Sequence, residues 1–133
     1  MIDLQEETYT IQEVAEKTDL SAHTLRYYEK IGLLEHISRH ENGHRRYAEA
    51  DLGWIQFLKL LRATGMPIQQ MQVFMEFARQ GDSTIPDRIE VLTEHRRELA
   101  AHIEELQDHM DHLDRKIAYY NGILTGEPAE PCD

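Results

Sequence analysis

The sequence predicts a mainly α fold, in which a winged helix-turn-helix is followed by a long C-terminal helix that needs a helical partner. Three observations predict it. Two short amphipathic segments, each opened by a hydroxyl-bearing cap, are separated by Thr18-Asp19-Leu20. An Asn42-Gly43 step stands between two short extended runs. Apolar residues then recur at alternating steps of three and four through the last third of the chain.

The first helix runs from Ile11 to about Lys17. Thr10 caps it, and Glu13 completes a capping box, because each side chain can satisfy the other residue's unpaired backbone N–H. Ile11, Val14 and Ala15 form its apolar stripe. Ser21 caps a second helix that runs to about Ile31 and stops at Gly32. Two short helices joined by a three- to four-residue turn make a helix-turn-helix, here with no Gly in the turn.

Leu33 to Tyr47 has no helical period. Asn-Gly favours the left-handed turn that matches strand twist, so strands are expected near Glu35–Ser38 and His44–Tyr47, forming a wing. A third helix, about Ala48 to Ala63, buries Leu52, Ile55 and Leu58, with Trp54 and Leu61 beside them. Thr64-Gly65-Met66-Pro67 ends it, and Pro67 suits the first position of a fourth helix, Ile68 to about Gln80. Met71, Phe74, Met75 and Ala78 are the apolar face of that helix.

The seam of the last third comprises Ile89, Leu92, Arg96, Leu99, Ile103, Leu106, Met110, Leu113, Ile117, Tyr120 and Leu124, a heptad pattern with one charged break at Arg96. From Pro86 to Asn121 such a helix is about 54 Å long. A lone helix with one apolar stripe cannot bury that stripe, and the N-terminal part offers no stripe of matching length. The same helix of a second subunit is therefore the expected partner. Ile89, Leu92, Leu99, Ile103, Leu106, Met110, Leu113 and Ile117 are the expected dimerisation residues. The expected division is 1–81 for the helix-turn-helix, wing and connecting helices, 82–125 for the dimerisation helix, and 126–133 for a frayed tail.

Composition narrows the function class. The formal net charge of -11 argues against a nucleic-acid binder until it is divided along the chain. Residues 1–47 carry six Lys/Arg and nine Asp/Glu, residues 48–81 carry three of each, and residues 82–133 carry five against thirteen. Most of the excess acid thus lies away from the winged part, and affinity for phosphate follows the local field at the contact face. No apolar run reaches the roughly 18 residues of a membrane span. The acidic Met1–Glu7 stretch lacks the apolar core of a signal peptide. The one cysteine, Cys132, permits no intrachain disulfide. These features point to the cytoplasm, with no membrane partner.

Thr24-Leu25-Arg26-Tyr27-Tyr28-Glu29 puts Arg and Tyr on a short helix, and Arg45-Arg46-Tyr47 puts a second cationic and aromatic cluster on the wing. Long cationic and phenolic side chains on two adjacent protrusions suit a DNA groove and its phosphates. With Tyr9-Thr10-Ile11, Val14-Ala15, Ile31-Gly32-Leu33-Leu34, Asn42-Gly43, Asp51-Leu52 and Thr64-Gly65-Met66 in this order, the chain resembles the MerR family of bacterial transcription regulators from residue 8 to about 125.

The resemblance implies a homodimer, with two long helices pairing as an antiparallel coiled coil. It implies binding to a pseudo-palindromic promoter whose spacer is overlong for RNA polymerase. A small effector would let the dimer bend and underwind that DNA, which realigns the polymerase elements. By position, Ser21, His23, Thr24, Arg26 and Tyr27 face the major groove, and Tyr28 packs partly under the helix. Arg45 and Tyr47 grip phosphate, and Arg46 does the same or pairs with an acid. His44 stands where Tyr is common in the family's wing, and His36 near where Pro is frequent.

The effector is not legible. One cysteine rules out a cluster held by four thiolates, and Ser83-Thr84-Ile85-Pro86-Asp87 puts no thiolate at the start of the long helix. The family's multidrug sensors append a large ligand-binding domain, and none is expected here, where a short tail follows that helix. Trp54 to Met75 looks most like the small aldehyde-responsive branch, without its cysteine. His95, His102 and His109 recur every seven residues with His112 a turn further, and they read as polar residues flanking the seam rather than as metal ligands. Cys132, between Pro131 and Asp133, lacks a cation to stabilise a thiolate. Trp54, Phe57, Met71, Phe74, Met75 and Phe77 read as core before they read as a pocket. No cofactor is expected.

The alternative from another class is a coiled-coil adaptor that engages a protein through its acidic long helix. It leaves Arg26, Tyr27, Arg45 and Tyr47 unexplained. An enzyme is not expected, because no phosphate loop, nucleophile–base pair or HExxH arrangement is present.

Overall fold

The computed structural model describes residues 8–35, 38–39 and 45–127. Contacts divide the chain into two units, residues 1–89 and 90–133. The division falls inside the long helix, whose first turn belongs with the N-terminal unit.

In the first unit, β1 (Thr8–Tyr9) leads into α1 (Ile11–Thr18). Thr10 Oγ1 accepts from the Glu13 N–H at 3.1 Å, and the Thr10 N–H donates back to Glu13 Oε1 at 2.8 Å. That backbone hydrogen bond holds the Glu13 carboxyl below its ordinary range. Asp19 ends α1 in the left-handed conformation, with φ 57°. A short carboxamide-like or carboxylate side chain tolerates that region, so Asp19 does here what Gly does in other turns of this kind.

Ser21 caps α2 (Ala22–Lys30), its Oγ accepting from the Thr24 N–H at 3.0 Å. Gly32, with φ 83°, reverses the chain after α2, and the Leu33 N–H closes onto Tyr28 O at 2.9 Å. The reversal drives Leu33 and Leu34 into the core.

The sheet has the order β1-β3-β2. β2 (Ser38–Arg39) pairs antiparallel with β3 (Arg45–Ala48), Ser38 opposite Arg46 and Arg39 opposite Arg45. β1 pairs with the other edge of β3, Tyr9 opposite Tyr47. The described first wing strand reaches one residue beyond the expected Ser38 end. The Asn42-Gly43 step, His36 and His44 lie outside the described residues.

Two further helices follow the sheet, the first of them packed against β3. α3 (Glu49–Ala63) starts one residue later than expected, with Asp51 Oδ2 accepting from the Ala48 N–H at 2.8 Å. α4 (Ile68–Arg79) follows the Met66-Pro67 corner, and Pro67 stands just outside it rather than as its first residue. Val14, Leu25, Ile55, Leu58 and Met71 have no exposed surface, and together they form the core where α1 to α4 meet. Burying each such side chain contributes roughly 1.5–3 kcal/mol. A 3-10 turn at Asp82–Thr84 closes this unit against α4, with Thr84 Oγ1 donating to Phe77 O.

α5 (Ile85–Thr125) has 41 residues, longer at its C-terminal end than the expected Pro86–Asn121. In the second unit its seam is bare. Ile103, Leu106, Met110, Leu113 and Ile117 are 50–64 % exposed, and Leu92 and Leu99 are half-buried. His95 is the exception among the seam-flanking histidines, at 9 % exposed, while His102, His109 and His112 face solvent. No helix among the described residues is long and apolar enough to cross a membrane.

Candidate nucleic-acid interface

The geometry of α2 sorts its side chains. Leu25 and Tyr28 point into the core. The opposite face carries Ser21, His23, Arg26, Tyr27 and Lys30, all exposed, with Thr24 half-buried between them. Tyr27 is 45 % exposed, and its ring lies 6.4 Å from that of Tyr28. Arg26 and Lys30 stand one helical turn apart and so share a face. Lys30 was not singled out from the sequence, although its i+4 spacing from Arg26 was the signal that could have found it.

The capped N-terminus of α2 adds unpaired backbone N–H groups beside this face, a favourable environment for an anion. A short helix presenting Ser, His, Thr, Arg, Tyr and Lys offers donors for base edges and phosphates alike.

The wing residues behave differently from one another. Arg45 Nε donates to Glu29 Oε2 at 2.5 Å, so the wing is tied to the last turn of α2. The Arg45 side chain remains 23 % exposed, and its guanidinium has further donors for a phosphate. Arg46 Nε donates to Thr8 Oγ1 at 3.0 Å and its Nη2 to Thr8 O at 3.3 Å. Its hydrogen-bond partners here are therefore on β1, and its charge also helps to lower the pKa of the Glu13 carboxyl.

Tyr47 departs most from expectation. The sequence places its hydroxyl on a phosphate, yet in this conformation the side chain has no exposed surface. It faces inward because β3 alternates sides, and Tyr47 shares its face with the core, opposite Tyr9. Its hydroxyl is buried without a hydrogen-bond partner among the described residues. Burial pushes the phenol above its ordinary pKa of 10.0, and the Glu29 carboxylate acts in the same direction. Tyr28 is raised as well, by burial first.

The other candidate chemistry of the chain does not converge. Among the described residues no three of His, Cys, Asp and Glu are placed to hold a metal ion. His109 Nε2 lies 3.7 Å from Glu105 Oε1 on the same helix face. Cys132 lies outside the described residues. Of the aromatic and methionine set, Met71, Phe74 and Met75 are core, while Trp54, Phe57 and Phe77 are half-buried. Trp54 and Met75 also border a cleft of about 240 Å³ with Leu33, Leu34 and Arg79.

Comparison with known proteins bears directly on this face. The family pattern for the MerR HTH family regulatory protein matches residues 9–78, and that for MerR, DNA binding, matches residues 52–116. An HTH-type transcriptional regulator of Haemophilus influenzae, itself uncharacterised, is 39 % identical over 113 residues, covering 85 % of this chain and 84 % of its own. The crystal structure of HiNmlR, a MerR family regulator lacking the sensor domain and bound to promoter DNA, matches with TM-score 0.80 and 37 % identity. That match covers 91 % of this chain and 92 % of HiNmlR. A Listeria monocytogenes protein assigned to the MerR family matches with TM-score 0.82 and 38 % identity over 89 % of each chain. The helix-turn-helix, the wing, the long helix and these likenesses agree, and the chain belongs to the MerR family of helix-turn-helix transcriptional regulators.

Proposed function

We propose that this regulator acts as a homodimer on promoter DNA, reading an inverted repeat with two copies of the α2 face. Ser21, His23, Thr24, Arg26 and Tyr27 are placed at the major groove, with Lys30 at its edge. Arg45 and Arg46 sit at the flanking phosphates, and Tyr47 supports the wing from beneath. The observation that carries this reading is the exposed Arg26–Tyr27–Lys30 face, opposite a core-facing Leu25 and Tyr28. Likeness to a regulator bound to its promoter supports it.

The bare seam of α5 supports the dimer. Ile89, Leu92, Leu99, Ile103, Leu106, Met110, Leu113 and Ile117 find their cover in the same residues of a second copy, paired antiparallel. Each buried side chain contributes roughly 1.5–3 kcal/mol. The dimer works in the cytoplasm beside RNA polymerase, through binding rather than turnover. It bends and underwinds an overlong promoter spacer when a small effector arrives.

The test is a titration of labelled promoter DNA at about 50 and 200 mM salt, with sedimentation of the protein alone. A dimer whose specific binding weakens by about 10³-fold or more across that range supports the reading. A stable monomer, or equal binding to promoter and unrelated DNA, rejects it.

A further inference from the structure

The two helices of the helix-turn-helix are each held at the C-terminus by side chains from a different connecting helix. At the end of α1, Lys59 Nζ donates to Thr18 O at 2.7 Å and Gln56 Nε2 to Lys17 O at 3.2 Å, both from α3. At the end of α2, Gln72 Nε2 donates to Ile31 O at 3.0 Å and Arg79 Nη2 donates to Gly32 O, both from α4. Helix C-termini leave carbonyls unpaired and carry the negative end of the helix dipole, so amide and guanidinium donors are the chemistry they need.

The α4 pair has features the α3 pair lacks. Gln72 and Arg79 are seven residues apart, two turns on one face of α4. Arg79 also pairs through Nε with Glu35 Oε2 at 3.0 Å and through Nη1 with Glu76 Oε2 at 2.9 Å. One guanidinium thus gathers the chain just beyond α2, the carbonyl after its last turn, and α4 itself. At the same C-terminal end α4 is fastened to the start of α5. Thr84 Oγ1 donates to Phe77 O and Gly81 O, and Arg88 Nη2 donates to Gly81 O at 2.9 Å. An unbroken series of short contacts therefore runs from the first turn of α5 through α4 to the end of α2.

We propose that Gln72 and Arg79 are positioning residues that lock α2 to α4, so that the DNA-reading helix turns with α4 and not independently of it. This inference rests on α2 being the DNA-reading element of a dimer. In such a dimer each α2 is joined along the chain to the α5 seam by way of α4. The lock then governs which separation of half-sites is accepted, while contacts to any one half-site come from α2 and the wing alone. Arg79→Ala and Gln72→Ala remove the donors without touching the α2 face.

The experiment measures affinity of the full-length protein for three duplexes: a single half-site, the natural inverted repeat, and the repeat with one base pair inserted between its halves. Wild type should bind the lengthened repeat about tenfold more weakly than the natural one. In Gln72→Ala/Arg79→Ala that discrimination should shrink to about threefold or less, with half-site affinity within about twofold of wild type. Arg79→Lys, which keeps a cation within reach of the Gly32 carbonyl, should restore most of it. A purely structural loss would lower binding to all three duplexes together. Should the double variant fail to fold, Gln72→Ala alone carries the comparison. Full wild-type discrimination in a folded variant, or equal loss on all duplexes, overturns the lock. Failure of wild type to prefer the repeat over unrelated DNA overturns the DNA reading beneath it.

Discussion

At the scale of single residues, Arg26 and Tyr47 stand at opposite extremes of the same motif. Arg26 is exposed on α2, so Arg26→Ala should leave the melting temperature close to that of wild type and cost about 1–3 kcal/mol of promoter affinity. A thermal melt reads the first, and electrophoretic mobility shift with promoter and unrelated duplexes reads the second. Lys30→Ala should instead weaken all duplexes alike and reduce the salt slope by about one. Tyr47 is core, and among the described residues its hydroxyl has no hydrogen-bond partner. Tyr47→Phe keeps the ring and deletes the unsatisfied group, so unfolding by urea should show equal or higher stability, by up to about 1 kcal/mol. A loss of more than about 1 kcal/mol would mean that the hydroxyl has a partner. The raised pKa of Tyr47 sets an alkaline limit. The folded state holds the phenol proton more tightly than the unfolded chain. Stability is therefore complete below the ordinary value of 10.0 and falls as pH rises past it. Tyr47→Phe should blunt that fall in a pH series of thermal melts, with Tyr28 contributing the remainder.

At the scale of elements, what could be read in advance was whatever depends on near neighbours along the chain. Thr10 with Glu13, Ser21 with Thr24, and the Gly32 reversal each involve partners within a few residues, and their chemistry admits few other conformations. What escaped depends on residues far apart in sequence. β1 is only Thr8–Tyr9 and exists because β3, some forty residues on, offers a free edge. The Arg45–Glu29 pair joins the wing to α2 across sixteen positions, and Arg46 finds Thr8 from as far away in the chain. The burial of Tyr47 was not legible either, because the inward face of a short strand is known only once its neighbour strands are. The turn without Gly was legible only in part, since Asp19 supplies the left-handed residue. Element-scale consequences follow from the caps. Ser21→Ala should destabilise the N-terminal unit by about 1 kcal/mol, measured by chemical denaturation, because Thr24 N–H loses its acceptor.

At the scale of the whole molecule, the decisive features are the bare α5 seam and the separation of charge. Ile103, Leu106, Met110 and Leu113 expose half or more of their surface in a single chain. Leu106→Asp places a charge in the middle of that stripe. It should convert a dimer into a monomer in analytical ultracentrifugation while leaving the N-terminal unit folded. Promoter binding should then fall sharply, because two half-sites held by one particle bind far more tightly than one. Residues 82–133 carry most of the net negative charge, thirteen acids against five bases. Excess acid on residues 82–133 disfavours non-specific association with DNA, while residues 1–47 carry a smaller share of it. The measurement that tests the central claim most directly is a footprint of the full-length protein on DNA immediately upstream of its own gene, beside Arg26→Ala at equal concentration. The account predicts a protected inverted repeat lying over a promoter spacer, present for wild type and absent for the variant. Equal protection by both proteins, or none by a dimeric wild type at any salt, would contradict it.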